Sequence, residues 1–336
     1  MFSRHRLGQL VLWVGLMLGV MLLFGLIQQT GFLDLIDHLS LFGWWPLLGF
    51  IVISLLNFCL YTLRWKLILD DMVQKKQRVP FIRLFMHRMS GFAAGYLTPA
   101  AQVAGEPIRV AMIKSDGVPL QPATSSVVLD LAFEITSFVV YVIAGLVLAL
   151  AQGLGAEGEL LWPLVFGLVL LAILGSFFIF TVSGAGFFHR LIRGFGLRRF
   201  KPMRRFEVWL EGTERLMTQF FSGQGLKVLC IVLLSFIMTA FRAFEVIFIT
   251  YFFGFEISIR DSFLLSTLPG VALLLPIPGG LGVFEGSNAA MFALLGLGLN
   301  PVAFTMIVRA RDLVFIAIGV AHAVRRGQKL IYAKRS

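Results

Sequence analysis

The chain has 336 residues, of which 58% are hydrophobic and only 14% are charged, and its mean hydropathy is +0.88. Soluble domains carry about 25% charged residues, so this composition excludes a soluble protein and predicts an all-α polytopic membrane protein. Although the net charge is +11, the basic residues fall almost wholly between apolar runs. Such an excess is typical of cytoplasmic loops, so we expect no nucleic-acid partner.

Six apolar runs are long enough to cross a bilayer, which takes about 20 residues. They cover residues 7–27, 44–63, 123–151, 160–182, 226–253 and 302–322. The first run follows basic residues as a signal peptide would, but it lacks a small-residue cleavage pattern, so we interpret it as an anchor. Placing the basic segments inside predicts a multi-pass protein of the cell inner (plasma) membrane with both termini in the cytoplasm.

The most basic loop follows the fourth span and leads into an amphipathic stretch at residues 206–220. The apolar side chains of this stretch recur at helical spacing, which predicts a helix. Such a helix lies either on the anionic lipids of the inner leaflet or against its own protein. The sequence leaves both alternatives open.

Two cysteines, Cys59 and Cys230, lie within apolar runs, and we expect free thiols rather than a disulfide. The five histidines show no spacing typical of metal ligands, so we expect no metal site. The chain also lacks the ATP-binding, zinc-protease and nucleophile-elbow motifs. We therefore expect no cofactor and no enzymatic activity. Without a nucleotide site, any transport has to be downhill or coupled to an ion or the membrane potential.

Two further apolar segments are interrupted by turn residues. In residues 262–299 the sequence Pro-Ile-Pro-Gly-Gly-Leu-Gly begins at Pro276, and its prolines and glycines stop a helix and allow a tight turn. Residues 81–118 have the same form, with a turn that contains Pro99 and Gly105. We predict that both segments are re-entrant helical hairpins, the alternative being pairs of thin crossings.

The two hairpins align when the chain is shifted by 179 residues, because Pro99 then meets Pro278 and Glu106 meets Glu285. Three spans separate the hairpins, and an odd number gives them opposite orientations, which is the sequence sign of an inverted repeat. We predict a single domain, residues 1–336, with repeats at about 44–151 and 226–322. In such folds the paired broken helices meet near the midplane and form the transport site.

Charged residues inside membrane spans are costly, so they indicate function or pairing. The candidate substrate path consists of these charges and of hairpin residues: Pro99, Gly105, Glu106, Arg109, Asp130, Glu134, Arg242, Glu245, Pro278, Gly279, Gly280, Glu285, Asn288, Arg309, Arg311 and Asp312. We predict that a carboxylate of the third span, Asp130 or Glu134, pairs with a guanidinium group of the sixth span, that of Arg309 or Arg311.

The forked guanidinium group matches the geometry of phosphate, so Arg109, Arg309 and Arg311 are candidate phosphate contacts. The alternative is that these arginines only form ion pairs that hold helices together. Glu106 and Glu285 are predicted to stand at the start of the two return helices. A glutamate there either caps free backbone N–H groups, or exchanges protons or contacts a cationic headgroup.

Three motifs carry a resemblance to a known family: T-P and G-E-P-I-R within 98–109, V-V-L-D at 127–130, and P-I-P-G-G-L-G-V-F-E at 276–285. With them, residues 7–325 resemble the lysylphosphatidylglycerol synthase transmembrane (flippase-like) family. Members often show a double glycine where this chain has Ala104 and Gly105. Many continue with an arginine after the V-L-D run, where this chain has Leu131.

In the two-part synthases of that family, the membrane domain moves an aminoacylated lipid across the bilayer and a soluble domain performs the tRNA-dependent transfer. The chain ends about 14 residues after the sixth span, so the resemblance implies the translocating part without the synthase. The expected substrate is a phospholipid, an isoprenoid-linked lipid or a hopanoid, with a lipid-synthesis enzyme as a candidate partner. The alternatives are an integral-membrane transferase, or its non-catalytic partner, and a carrier of ions or small solutes. The oligomeric state stays open.

Overall fold

The structure, a computed structural model, describes residues 42–98, 103–154, 160–194 and 201–333, together with Asp37, Ser40 and Gly158. Within these ranges the regular structure is helical: α1 (Trp44–Met72), α2 (Phe81–Leu97), α3 (Gly105–Ser115), α4 (Leu120–Ala151), α5 (Leu161–Val182), α6 (Phe187–Gly194), α7 (Lys201–Phe221), α8 (Gly225–Phe252), α9 (Ile259–Thr267), α10 (Val283–Leu294) and α11 (Pro301–Ala333). The 3₁₀ turns occupy Lys75–Gln77, Pro269–Leu274 and Pro278–Gly280. The predicted first span and Pro99 lie outside the described residues.

Four of the described helices, α1, α4, α5 and α8, are long and apolar enough to cross a membrane. They contain the second to fifth spans predicted from the sequence and confirm a helical, multi-pass organisation. The last helix, α11, has 33 residues, but Arg309, Arg311 and Asp312 lie in its apolar part and it is not among the four. The predicted sixth span, like the first, therefore stays a prediction.

Exposed apolar side chains cover α5, where Trp162, Phe166 and Ile179 are 80%, 67% and 67% exposed. An apolar surface of this kind is unfavourable in water, whereas lipid tails solvate it well. The helix packs with its other face against α4 and α7. These exposed side chains therefore support a position of α5 at the lipid boundary.

The helix bounds follow the repeat that the sequence predicts. Shifting α1 by 179 residues gives 223–251, and α8 covers Gly225–Phe252. The same shift takes α3 to 284–294 and α4 to 299–330, close to the bounds of α10 and α11. It takes α2 to 260–276, where α9 and a 3₁₀ turn stand instead of one continuous helix. The opposite orientation of the two halves stays a prediction.

The helix α2 lies in direct backbone contact with two neighbours. A Cβ atom built on Gly105 of α3 would stand 2.2 Å from the carbonyl oxygen of Gly91, so the backbones touch there. A Cβ atom on Gly319 of α11 would likewise stand 2.2 Å from the carbonyl oxygen of Met89. Because no side chain separates these backbones, α2 is held tightly between α3 and α11.

The second predicted hairpin consists of α9, two 3₁₀ turns and α10. Its first helix is capped by Ser258, whose hydroxyl oxygen accepts a hydrogen bond from the backbone N–H of Asp261 at 3.0 Å. Its second helix begins after Gly282, which adopts the left-handed φ of 77° that favours glycine. Whether this helix pair and the pair α2–α3 re-enter the membrane from one side stays a prediction.

The amphipathic helix α7 packs against its own protein, one of the two alternatives that the sequence left open. Its side chains Leu210, Thr213, Met217 and Phe220 are buried, and the helix packs against α4, α5 and α1. This face is therefore part of the protein interior and does not lie on a lipid leaflet. Both cysteines, Cys59 and Cys230, are free thiols as predicted.

Candidate functional site

A cavity of about 490 Å³ lies between the two helix pairs and is also bordered by α1, α4, α8 and α11. Part of its wall is polar or charged: Ser54, Asn57, Tyr61, Arg88, Tyr96, Glu106, Arg109, Glu134, Arg242, Glu245, Ser266, Asn288, Arg311 and Asp312. The rest is mainly aromatic and aliphatic, including Phe50, Phe58, Phe92, Phe138, Leu170, Leu274 and Phe284. A lining of both kinds suits a ligand that has a polar part and an apolar part.

The two helix pairs meet at the edge of this cavity, where the turn at Pro278–Gly280 contacts the end of α2. Gly279 has a φ of 57°, and a Cβ atom on it would stand 2.3 Å from the ring of Tyr96. Arg309 of α11 joins both sides, because its guanidinium donates to the carbonyl oxygen of Gly279 at 2.7 Å and to the hydroxyl of Tyr96. Glycine is therefore required at this contact by its backbone angle and by the lack of space.

Asp130 of α4 is completely buried and binds three guanidinium groups from three other helices. Its carboxylate oxygens lie 2.8 Å from Nε of Arg64 in α1, 2.7 Å from Nη1 of Arg88 in α2 and 2.6 Å from Nη2 of Arg109 in α3. Charge-assisted hydrogen bonds of this length are among the stronger ones in proteins. Asp130 therefore joins the first helix pair to α1 and α4.

Two further carboxylates complete this network on the cavity side. Glu134 accepts hydrogen bonds from Arg88 at 2.6 Å and from Arg64 at 3.0 Å. Glu106, in the first turn of α3, accepts a hydrogen bond from Arg109 at 2.7 Å. With Asp130, the network holds three arginines and three carboxylates, so its formal charge is zero. The charge that each arginine brings into the membrane region is thus compensated locally.

A second set of charges surrounds the start of α10. Glu285 is buried, and its Oε2 accepts the backbone N–H of Gly282 at 2.7 Å, which caps the helix. Its Oε1 accepts a hydrogen bond from Nε of Arg309, also at 2.7 Å. The contact with Gly282 is the helix cap that was one of the two alternatives for Glu285, and Arg309 balances its charge.

Arg311 faces the cavity and is shared by two carboxylates. It lies 3.1 Å from Glu245 of α8 and 2.8 Å from its neighbour Asp312. The hydroxyl of Ser54 in α1 donates to Glu245 at 2.8 Å. The guanidinium group of Arg311 therefore pairs with two carboxylates, so Arg311, Glu245 and Asp312 together carry one negative formal charge.

The pairing predicted between the third and the sixth span is wrong. Asp130 and Glu134 are occupied by Arg64 and Arg88, while the arginines of α11 bind carboxylates of α8, α10 and α11 itself. The repeat alignment makes position 309 the equivalent of position 130. It gives no information on which side chains lie close enough to pair. In these networks, therefore, each carboxylate binds arginines of its own half.

Eight of the candidate path residues line the cavity: Glu106, Arg109, Glu134, Arg242, Glu245, Asn288, Arg311 and Asp312. Seven others support the wall from behind or pack beside it, namely Gly105, Asp130, Pro278, Gly279, Gly280, Glu285 and Arg309. Pro99 lies outside the described residues. The structure thus brings the described part of the predicted path together around one space.

Sequence reasoning missed two arginines of the first network, Arg64 and Arg88. Arg64 directly follows the apolar run that ends at residue 63 and so counts as part of a cytoplasmic segment, while Arg88 lies in the first predicted hairpin, residues 81–118, and was not among the candidate path residues. In the structure α1 continues to Met72, and Arg64 is fully buried. The available signal was the pair of carboxylates in the third span, which needs cations from neighbouring helices.

Arg242 of α8 also lines the cavity. It donates to the hydroxyl of Tyr61 at 3.4 Å and lies 5.7 Å from the centre of the Phe138 ring. These are weak contacts for a group with five N–H donors. The charge of Arg242 is also attracted by the carboxylates of Glu134 and Glu245, which line the same cavity.

Away from the cavity, α6 and α7 bring together three side chains that are often metal ligands. Nδ1 of His189 lies 3.4 Å from Glu207 and 3.5 Å from Glu211. Glu214, one turn further on, accepts the backbone N–H of Phe188 at 2.6 Å, and burial raises the pKa of its carboxyl above the usual range. Sequence spacing does not predict this group, since Glu207 and Glu211 lie 18 and 22 positions after His189.

Two comparisons with known proteins indicate the family of this chain. The family model for the lysylphosphatidylglycerol synthase TM region matches residues 12–319, which include every residue of the cavity wall. The chain belongs to this family. It is also similar to a UPF0104 membrane protein of Methanothermobacter thermautotrophicus, with 25% identity over 274 residues, covering 77% of this chain and 78% of the relative.

Membership in the lysylphosphatidylglycerol synthase TM region family confirms the resemblance seen in the motifs. Of those motifs, G-E-P-I-R contributes Glu106 and Arg109, and V-V-L-D contributes Asp130. All three residues belong to one hydrogen-bonded chain in the structure. The motif that ends at Glu285 forms the turn and the cap on the other side of the cavity. The residues that carried the resemblance are therefore those that form the site.

Proposed function

We propose that the protein translocates a lipid with a polar headgroup across the cytoplasmic membrane. The observation that carries this proposal is the cavity of about 490 Å³, whose wall combines charged side chains with apolar ones between the two helix pairs. A lipid has the same division, because its headgroup needs polar partners and its tails need an apolar environment. Membership in the TM region family supports a role in lipid biology.

In the proposed mechanism the headgroup passes through the polar part of the cavity while the tails stay in the bilayer. Moving a polar group through hydrocarbon without hydrogen bonds costs several kcal/mol, and an isolated charge costs much more. Side chains such as Asn57, Glu106 and Arg242 offer partners along the wall and lower this barrier. The protein then acts without forming or breaking a covalent bond, and we propose that it is not an enzyme.

The topology proposed for this mechanism has six membrane spans and two re-entrant hairpins in an inverted repeat, with both termini in the cytoplasm. Support comes from the matching helix bounds at a shift of 179 residues and from the contact between Tyr96 and Gly279, which joins the two helix pairs. Broken helices at corresponding positions of two halves are typical of transport sites. The basic loops are proposed to contact anionic lipids of the inner leaflet.

The two hairpin glutamates have different roles in this proposal. Both oxygens of Glu285 are occupied, by a helix cap and by Arg309, so its role is structural. Glu106 lines the cavity and has one arginine partner, so it is the residue that meets a proton or a cationic part of the headgroup. Such a role couples the headgroup to the first charge network.

The test is a lipid translocation assay with purified protein in vesicles. Fluorescent lipids are reduced from outside, and the fraction that becomes accessible over time measures movement between leaflets. We expect faster movement than in empty vesicles, and slower movement with Glu106→Gln than with Arg260→Gln. Arg260 is a suitable control because its side chain is 55% exposed and outside the cavity.

Equal rates with and without protein, for phospholipid, isoprenoid-linked and hopanoid probes alike, would contradict the proposal. Product formation in detergent that depends on Glu106 would indicate a transferase instead, because detergent provides no second leaflet. Uptake of ions or small solutes without lipid movement would indicate a carrier.

A further inference from the structure

The helices α6 and α7 bring three metal-binding side chains to one place, away from the cavity. His189 belongs to α6, and Glu207 and Glu211 belong to α7. The imidazole Nδ1 and one oxygen of each carboxylate all lie within 4.8 Å of one another. Residues four apart share one face of a helix, so α7 presents both carboxylates to the same imidazole.

The distances from the imidazole are those expected of ligands that share one ion. Nδ1 of His189 lies 3.4 Å from Oε1 of Glu207 and 3.5 Å from Oε1 of Glu211. Two ligands of a tetrahedral Zn²⁺ ion, each about 2.0–2.1 Å from the metal, stand about 3.3–3.4 Å apart. An N–H···O hydrogen bond is shorter, at about 2.7–3.2 Å. An ion therefore fits between the imidazole and either carboxylate without any movement of the helices.

The Nδ1 atom of His189 is also left without a hydrogen bond by the protein. It is shielded from solvent and has no hydrogen-bond partner within the part of the chain that the structure describes. Buried polar atoms of this kind are rare and indicate a bound ion or water. The lone pair of a neutral imidazole nitrogen is a common metal ligand. This atom is therefore a second observation, besides the grouping of the side chains, that points to a metal.

A further carboxylate holds the start of α6 in place. Oε1 of Glu214 accepts the backbone N–H of Phe188 at 2.6 Å and that of His189 at 3.4 Å. These bonds fix the position of the imidazole beside α7. The next residue, Arg190, lies over the ring of Phe180, with 4.7 Å between its guanidinium carbon and the ring centre. Its positive charge is thereby directed to an aromatic face.

We infer that His189, Glu207 and Glu211 bind a divalent transition-metal ion such as Zn²⁺, which joins α6 to α7. One imidazole nitrogen and two carboxylate oxygens suit Zn²⁺, whereas Mg²⁺ and Ca²⁺ prefer oxygen ligands alone. The two carboxylates supply two negative charges that neutralise the ion. The inference does not depend on the proposed function. It corrects the expectation of no metal site, which considered histidine spacing and not the glutamates of a second helix.

Three protein ligands leave the fourth position of a tetrahedral ion to water. The Glu211 side chain is 56% exposed and that of His189 is 24% exposed, so an ion can enter from solvent. Since α7 packs against α4, α5 and α1, an ion bound here ties the short helix α6 to three helices that are long enough to cross the membrane.

The first experiment measures binding of the metal alone. The full chain, purified in detergent without a polyhistidine tag and treated with a chelator, is titrated with Zn²⁺ in a calorimeter. We expect one Zn²⁺ per chain. His189→Ala and Glu211→Gln should weaken binding at least tenfold, because changes in groups that merely orient metal ligands already cost about 10- to 100-fold. Glu256→Gln is the matched control, since Glu256 is also exposed and lies outside the group.

Equal Zn²⁺ binding by the wild-type protein and by both ligand variants would show an adventitious ion only and would overturn the inference. So would a titration of the wild-type protein without measurable binding. Mg²⁺ that binds as tightly as Zn²⁺ would overturn the assignment to a transition metal.

The second experiment tests coordination and folding. Co²⁺ absorbs visible light strongly with four ligands and weakly with six, so we expect a strong band in the wild-type protein and its loss in Glu207→Gln. Zn²⁺ should raise the Tm of the wild-type protein and a chelator should reverse the rise. The Tm of each variant without metal is the folding control. A wild-type spectrum equal to that of Co²⁺ in buffer would contradict the site.

Discussion

At the scale of single residues, Asp130 shows how one carboxylate can organise a membrane domain. It is completely buried and receives hydrogen bonds from three arginines that belong to α1, α2 and α3. Without it, three guanidinium groups would share two carboxylates in a region where unpaired charge is costly. The residue therefore acts on the site through the arginines that it positions.

We expect Asp130→Asn to destabilise the protein by about 3–5 kcal/mol, because it removes the shared charge from a buried network. Thermal unfolding in detergent measures the effect as a lower Tm. Gel filtration of the same variant should no longer give a single peak. Asp261→Asn is the matched control, since Asp261 pairs with the exposed Arg260 at a helix start. If both variants unfolded at the same temperature, Asp130 would not be the organising residue described above.

Equivalent glutamates in the two halves take their arginine partners from different helices. Glu106 and Glu285 stand at the start of equivalent helices, and each binds one arginine. The first arginine is Arg109 of the same helix, whereas the second is Arg309 of the following helix. The equivalent of Arg309 by the shift of 179 is Asp130, so the halves keep the ion pair but move its cation.

At the scale of elements, the turn between α9 and α10 is fixed by its contact with α2. Gly279 combines a left-handed φ of 57° with a backbone that leaves no room for a Cβ atom beside Tyr96. The carbonyl oxygen of the same glycine accepts a hydrogen bond from Arg309. This one contact therefore couples the second helix pair to the first.

We expect Gly279→Ala to slow lipid movement at least tenfold in the vesicle assay, because the turn has to withdraw from Tyr96 by more than 1 Å and shift the cavity wall. Displacements of this size are large for a positioned site. Gly286→Ala is the control: it lies in α10, where a Cβ atom would have open space and where alanine favours a helix. Equal rates for the two variants would show that the turn does not need its contact with α2.

The elements show how far sequence reasoning reaches in this protein. Spans two to five were predicted from apolar length, and all four of their helices begin within three residues of the predicted start. The end of α1 was placed nine residues too early, since hydropathy treats Arg64 as a boundary, although Asp130 neutralises it. An ion pair forms only where two charged side chains lie close together in the folded protein. Hydrophobic periodicity and sequence repeats do not give these distances.

At the scale of the whole molecule, the predicted opposite orientation of the two halves has a direct test. In a background with Cys59→Ser and Cys230→Ser, Leu120→Cys and Gly298→Cys place thiols near equivalent bends. Leu120 is 40% exposed, and a Cβ atom on Gly298 would meet only an ordinary contact at 3.5 Å. We expect a membrane-impermeant maleimide on intact cells to label position 298 and not position 120.

The measurement is the shift in mass of each variant before and after the membrane is permeabilised. Position 120 should react only after permeabilisation, because the preceding loop is predicted to be cytoplasmic. Labelling of both positions from the same side would rule out the inverted arrangement, while leaving the cavity and its charge networks as described.

The close approach of α2 to α11 constrains how such a molecule can move. Gly319 leaves the backbone of α11 in contact with that of Met89, and Ser90 donates to the carbonyl oxygen of Gly319 at 2.9 Å. Helices joined in this way separate only by breaking many contacts at once, so they travel as one rigid unit. Since α2 belongs to the first half of the chain and α11 to the second, the halves are interlocked. Any opening of the cavity must then come from the other helices sliding around this shared pair.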